Sequence, residues 1–226
     1  MSELLDLVLQ AHGGLDRWNN FNKVSAKFVA GGGLLPMKGL EADPNPLDGT
    51  VTIHEESTVI RPFGQPDWRM IFTPNCVSIE TTAGVVVQER SNPRAAFASH
   101  TMNTPWDLLH RAYFNGYARW TYLTTPFLMA MPGFEMTEIA PWQEGAEQWR
   151  GLRARFPDTS SVESLPAQTR ARIESLIHVD RELFVVLCAH ESYYREELRD
   201  VDDSRIISQR LNRGTGVVVE SAFWDG

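Results

Sequence analysis

A chain of 226 residues, 42% of them apolar and 22% charged, can bury a real core as a single domain, and its composition is globular rather than fibrous or disordered. The formal net charge of −8 leaves no basic field for phosphates, which argues against nucleic acid or an anionic membrane surface as a partner. Cys76 and Cys188 form neither a disulfide framework nor a zinc-binding pair, although one disulfide between them stays open.

Glu3 and Asp6 stand where an export signal would carry Lys or Arg, and no apolar run is long enough to span a bilayer. A cytoplasmic protein without membrane insertion is expected; its oligomeric state is open. Ser2 to Ala11 predicts a short amphipathic helix with Leu4, Leu5, Val8 and Leu9 on one face, stopped by Gly13 and Gly14. His12 falls in its last turn, where a hydrogen-bonding side chain suits the free carbonyls. Leu15 to Phe21 continues as a second turn anchored by Trp18 and Phe21.

Strands follow. Lys23 to Ala30 alternates, Gly31 to Gly33 marks a bend, and Glu41 to Gly49 reads as loop. Thr50 to Ile60 reads as one strand ended by Arg61 and Pro62. Asp67 to Thr73 and Cys76 to Glu80 are short strands, and Val85 to Glu89 closes a hairpin through Thr82, Ala83 and Gly84. Hairpin-sized connections without intervening helices predict an antiparallel sheet. Ser91 to Asn103 reads as a surface loop.

The longest helical segment is Thr104 to Met131, with Thr104 as cap, Pro105 at the first helical position and Asp107 in the first turn. Trp106, Leu109, His110, Tyr113, Tyr117 and Trp120 recur at spacings of three and four and are expected on one face. Pro126 predicts a kink or two helices meeting there. Phe134 to Ile139 and Gln148 to Phe156 read as a strand pair around Glu144 and Gly145. Leu152, Ala154 and Phe156 face one way, Arg153 and Arg155 the other. Leu165 to Ile177 then reads as a helix, Leu183 to Ala189 as a buried strand, and Arg205 to Leu211 with Val217 to Phe223 as a hairpin.

Three segments carry a resemblance: AHGGLDRW (Ala11 to Trp18), FTPNCVSIET (Phe72 to Thr81) and TPWDLLHRAYFNGYARWTYLTTPF (Thr104 to Phe127). Together they resemble a family of mostly uncharacterised bacterial and fungal proteins of similar size. The family is similar in organisation to the LolA-like carriers, in which an incomplete antiparallel barrel wraps an apolar cavity plugged by helices. The resemblance implies an α+β fold: a bent antiparallel sheet packed on a central helical segment. It runs to the RFPD at Arg155 to Asp158, and the following TSSVESLPAQTRARIESL departs from it. One domain over 1–226 is expected, with a family-like core over 1–158 and a divergent part over 159–226. The family supplies no agreed chemistry.

The aromatic stripe fits two readings, a packed core face or the wall of a pocket. In the second, His110 is a general acid or base, Asp107 orients its ring and would raise its pKa, and Tyr113 or Tyr117 steadies an oxyanion. Trp106 and Trp120 would line the pocket, and His100 with Arg94 would hold an anionic or carbonyl group near the helix start. His54, beside Glu55 and Glu56, adds no recognisable geometry. No His pair has metal-ligand spacing, GxSxG is absent, and no nucleotide fingerprint occurs, so neither metal nor cofactor is expected. The expected partner is an apolar or carbonyl-bearing small molecule, with specialised metabolism as its setting. A cofactor-independent isomerase, cyclase or lyase and a structural or partner-binding protein stay open beside a carrier.

Overall fold

The computed structural model describes residues 2–29, 34–41, 43, 45–101, 103–144, 147–155, 182–189, 193–199 and 206–212, the last three segments, 142, 144 and 147–149 by their backbone alone. Helices α1 (Glu3–Ala11) and α2 (Leu15–Asn19) come first, and α3 (Leu34–Met37) follows strand β1 (Lys23–Phe28). Strands β2 (Leu47–Thr52), β3 (Ser57–Arg61), β4 (Trp68–Thr73), β5 (Cys76–Thr81) and β6 (Val86–Ser91) precede the long helix α4 (Leu108–Thr124). Strands β7 (Glu135–Glu144), β8 (Glu147–Arg155), β9 (Glu182–Ala189), β10 (Tyr193–Arg199) and β11 (Ile206–Asn212) complete the described chain. Asn22–Leu123 forms one unit, and the described residues before and after it form the other.

The Asn22–Leu123 unit is a six-stranded antiparallel sheet in the order β1-β2-β3-β4-β5-β6, an unclosed sheet with α4 packed on one face. Alternation decides which side is covered: Leu47, Val51, Thr58, Ile60, Met70, Phe72, Val77 and Ile79 are buried. From α4 the matching row is Leu109, Ala112, Gly116, Trp120 and Leu123, at helical spacing. Each of the large side chains here contributes roughly 1.5–3 kcal/mol relative to exposure. At mid-helix the Gly116 backbone comes close against side chains of the sheet. A Cβ built on Gly116 would lie 2.2 Å from the Phe72 Cβ, and the Gly116 carbonyl accepts a buried 2.8 Å hydrogen bond from the Thr58 hydroxyl. At its other edge β6 exposes Val86 and Val87, with Val85 just before them.

Three expectations are corrected here. Thr50 to Ile60 is not one strand, because a turn at 53–56 separates β2 from β3. The turn contains neither Gly nor Pro, so alternation ran on through it. The helix starts at Leu108 rather than Thr104, since the Thr104 hydroxyl accepts from the Thr101 amide at 2.9 Å and Asp107 takes the capping place. Within the stretch read as loop, Pro93–Phe97 forms a 3-10 turn.

In the other unit, Ser2 caps α1 by accepting from the Leu5 amide at 3.2 Å, and the four expected leucine and valine side chains are buried. His12 Nδ1 bonds the Val8 carbonyl at 2.8 Å, and Gly13 and Gly14 take φ of 98° and 86° to end the helix. Trp18 stacks on Phe127 at 4.2 Å. Strands β7 to β11 form an antiparallel sheet in the order β11-β10-β9-β8-β7, with α1 lying against β8 and β9. On β8, Leu152 and Ala154 are buried while Arg153 and Arg155 are exposed. The strand β10, unforeseen, pairs with β11 from Tyr193↔Asn212 to Arg199↔Ile206. The expected helix at Leu165 to Ile177 and strand at Val217 to Phe223 lie outside the described residues, as does the Gly31 to Gly33 bend. No described helix is long and apolar enough to cross a membrane.

Candidate functional site

The chemistry-bearing residues concentrate where α4 begins. Its first turn is closed by a reciprocal cap in which the His110 amide donates to Asp107 Oδ1 at 2.8 Å and the Asp107 amide donates to His110 Nδ1 at 3.2 Å. Arg90, on β6, donates to both Asp107 oxygens, at 2.5 and 3.2 Å. Partial burial pushes the Asp107 carboxyl up, but the Arg90 hydrogen bonds, the His110 amide and the charges of His110 and Arg90 outweigh it and hold the pKa down to about 2. His110 Nε2 faces the Ala96 carbonyl at 3.3 Å. His110 Nδ1 also lies 2.7 Å from Asp107 Oδ1, so both ring nitrogens are engaged within the chain.

Around this cap lies an aromatic nest centred on Phe97. Its ring meets those of His110 at 4.9 Å, His100 and Tyr113 at 5.3 Å, and Trp106 at 5.7 Å. The two imidazoles are 4.8 Å apart. Buried Lys38 stands 5.3 Å from the Trp106 ring, donates to the Thr101 carbonyl at 3.0 Å, and accepts the Trp106 amide on its own carbonyl. Desolvation, then the charges of His110 and Lys38, pull the His100 pKa down against the pull of Asp107. Burial, with Glu56 adding and Arg94 opposing, raises the Tyr113 pKa. Two buried atoms here have no hydrogen-bond partner, His100 Nδ1 and Trp106 Nε1.

Of the residues singled out in the sequence, Trp106, Asp107, His110, Tyr113 and His100 are thus brought together, with Arg94 acting on Tyr113 through charge. Tyr117 lies one turn further along and packs against the sheet core. Trp120 is at the other end of α4, where its indole N–H donates to the carbonyls of Thr52 at 2.8 Å and Glu55 at 3.1 Å, holding the β2–β3 turn. Phe97, Arg90 and Lys38 escaped the sequence reading, since they come from segments with no shared period.

A second row also escaped it. Arg111, Asn115 and Arg119 follow one another at intervals of four on a flank of α4. Arg111 is buried, pairs with the Asp43 carboxylate and the Glu41 carbonyl, and lies 4.8 Å over the Phe63 ring. Asn115 is buried with its Nδ2 unpartnered. Arg119 lies 4.3 Å over the Phe28 ring, with its Nε buried and unpartnered. Desolvation lowers the pKa of both arginines. The spacing itself was the available signal, but charged residues at that interval ordinarily mark a solvated face.

No group of three or more His, Cys, Asp or Glu suited to a metal ion occurs among the described residues. Cys76 carries a free thiol, its pKa raised by partial burial and by Glu89. Fold and site together define an α+β protein with a histidine- and tryptophan-lined nest at the head of its sheet-packed helix. No protein-family model, curated protein or solved structure matches the chain.

Proposed function

We propose that this protein binds a small, largely apolar molecule through a carbonyl oxygen, and that the nest around Phe97 is where it does so. The observation that carries the reading is the pair of buried, unpartnered ring nitrogens on His100 and Trp106. An indole N–H can only donate, and leaving it buried without an acceptor costs about 1–3 kcal/mol unless a ligand supplies one. Phe97, Tyr113 and the indole offer apolar surface, while Lys38 adds positive potential beside the indole. The unclosed antiparallel sheet with a helix across it is in keeping with a LolA-like carrier, and an accessory role in specialised metabolism accords with such binding.

A catalytic reading, with His110 as acid or base, draws on the 2.7 Å approach of His110 Nδ1 to Asp107 Oδ1. Against it, Nε2 is turned to the Ala96 carbonyl rather than to open space. Carriage is therefore the better-supported function. A panel of neutral aryl and alkyl ketones, esters and lactones, followed by thermal shift and tryptophan fluorescence, tests this. Hits should lose at least about tenfold in affinity in Trp106→Phe, which removes one donor. They should keep it in Tyr117→Phe. Hits indifferent to both Trp106→Phe and His100→Phe would overturn the assignment.

A further inference from the structure

We propose that Asn115 and Arg119 form a site for one carboxylate group of a small organic acid, on the flank of α4 away from the nest. The inference does not rest on the carbonyl-binding reading, because it uses different residues.

Three buried groups in the row, Arg111 Nε, Asn115 Nδ2 and Arg119 Nε, lack hydrogen-bond partners, and two of them can only donate as guanidinium nitrogens. Asn115 is only 4% exposed, so water does not serve it from the surface. A set made of donors alone calls for an acceptor with several lone pairs. The charge balance says which kind. Arg111 is neutralised by Asp43, whereas Arg119 makes no ion pair among the described residues. One uncompensated positive charge fits a monoanion. A phosphate dianion would leave a buried negative charge in its place.

The geometry is also pre-set. The Arg119 guanidinium carbon lies 4.3 Å over the Phe28 ring, and a guanidinium placed there can fork onto a carboxylate through its N–H edge. Asn115, one helical turn earlier on the same flank, supplies an amide hydrogen within reach of the same group. The aromatic rings of Phe28 and Phe63 flank the row and suit a short apolar tail.

The test is an NMR titration of the full chain, isotopically labelled, with acetate, hexanoate and inorganic phosphate, against chloride at equal ionic strength. The Arg119 Nε–H and Asn115 Nδ2–H signals should move saturably with the carboxylates, hexanoate binding at least about tenfold more tightly than acetate from its buried methylenes. Phosphate and chloride should leave them unmoved. Arg119→Met should abolish the response at Asn115 while leaving the melting temperature of the unliganded protein equal or higher, because an unpaired, half-buried charge is gone. The absence of saturable shifts with either carboxylate overturns the proposal, as does a preference for phosphate or an unchanged response in Arg119→Met. The wild-type titration decides even where that variant fails to fold.

Discussion

Replacing Gly116 by alanine puts one methyl group into the closest approach between α4 and its sheet. On an exposed helix the change would stabilise by about 1 kcal/mol through propensity alone. Here the new Cβ would lie 2.2 Å from the Phe72 Cβ and 2.3 Å from its Cγ, far inside ordinary contact. The Phe72 Cβ is fixed to the backbone of a central strand, so no rotamer change relieves the clash. The helix must lift. Overpacking of this kind costs about 1–3 kcal/mol, and lifting stretches the Thr58–Gly116 hydrogen bond, worth about 1 kcal/mol more. Net of propensity, Gly116→Ala should destabilise by about 2 kcal/mol, seen in urea unfolding as a lower midpoint with an unchanged slope. Phe72→Ala retains the Cβ, so adding it should not rescue the variant. A Gly116→Ala protein as stable as the parent would refute the packing of α4 against β4.

Other substitutions probe the remaining contacts. Asp107→Asn removes a carboxylate whose pKa is held down to about 2, so its loss matters above the unfolded value near 4, and the difference from the parent should fade as pH falls from about 4 to about 2 in acid unfolding curves. The effect should be modest, since Asp107 is half exposed and screened by solvent. Trp120→Phe strands the Thr52 and Glu55 carbonyls and should cost about 1–3 kcal/mol by chemical denaturation. His110→Gln retains a side chain that can close the reciprocal cap, so it should destabilise less than His110→Ala, which should cost about 1 kcal/mol; equal effects would count against the cap.

The regular elements were largely legible because their signals are local. Ser2 followed by the paired apolar residues of α1, and the Thr82 to Gly84 turn, each carry their own chemistry. The face of α4 was harder. Aromatic size drew attention to Tyr113 and Tyr117, while a close approach to the sheet is made at Gly116, which has no side chain to announce it. The helix start was misplaced because Thr104-Pro105 is a good opening in isolation, and only Arg90, distant in sequence, shows why Asp107 holds the cap. Arg111 and Arg119 carry no sign in the sequence of where they lie. The burial of Arg111 and the enclosure of the Arg119 Nε depend on Phe63, Phe28 and Asp43, partners that no spacing within the helix reveals.

The outer strand β6 carries a consequence for handling the protein. Val86 and Val87, with Val85 before them, put consecutive β-branched side chains on a strand hydrogen-bonded along one side only within its sheet. Such a strand is a template for intermolecular pairing. The run is broken by the amide of Gln88 and the charges of Glu89 and Arg90, which act as gatekeepers against fibril-like growth. Arg90 therefore serves twice, and a variant lacking it would lose solubility during expression as well as its grip on the helix cap.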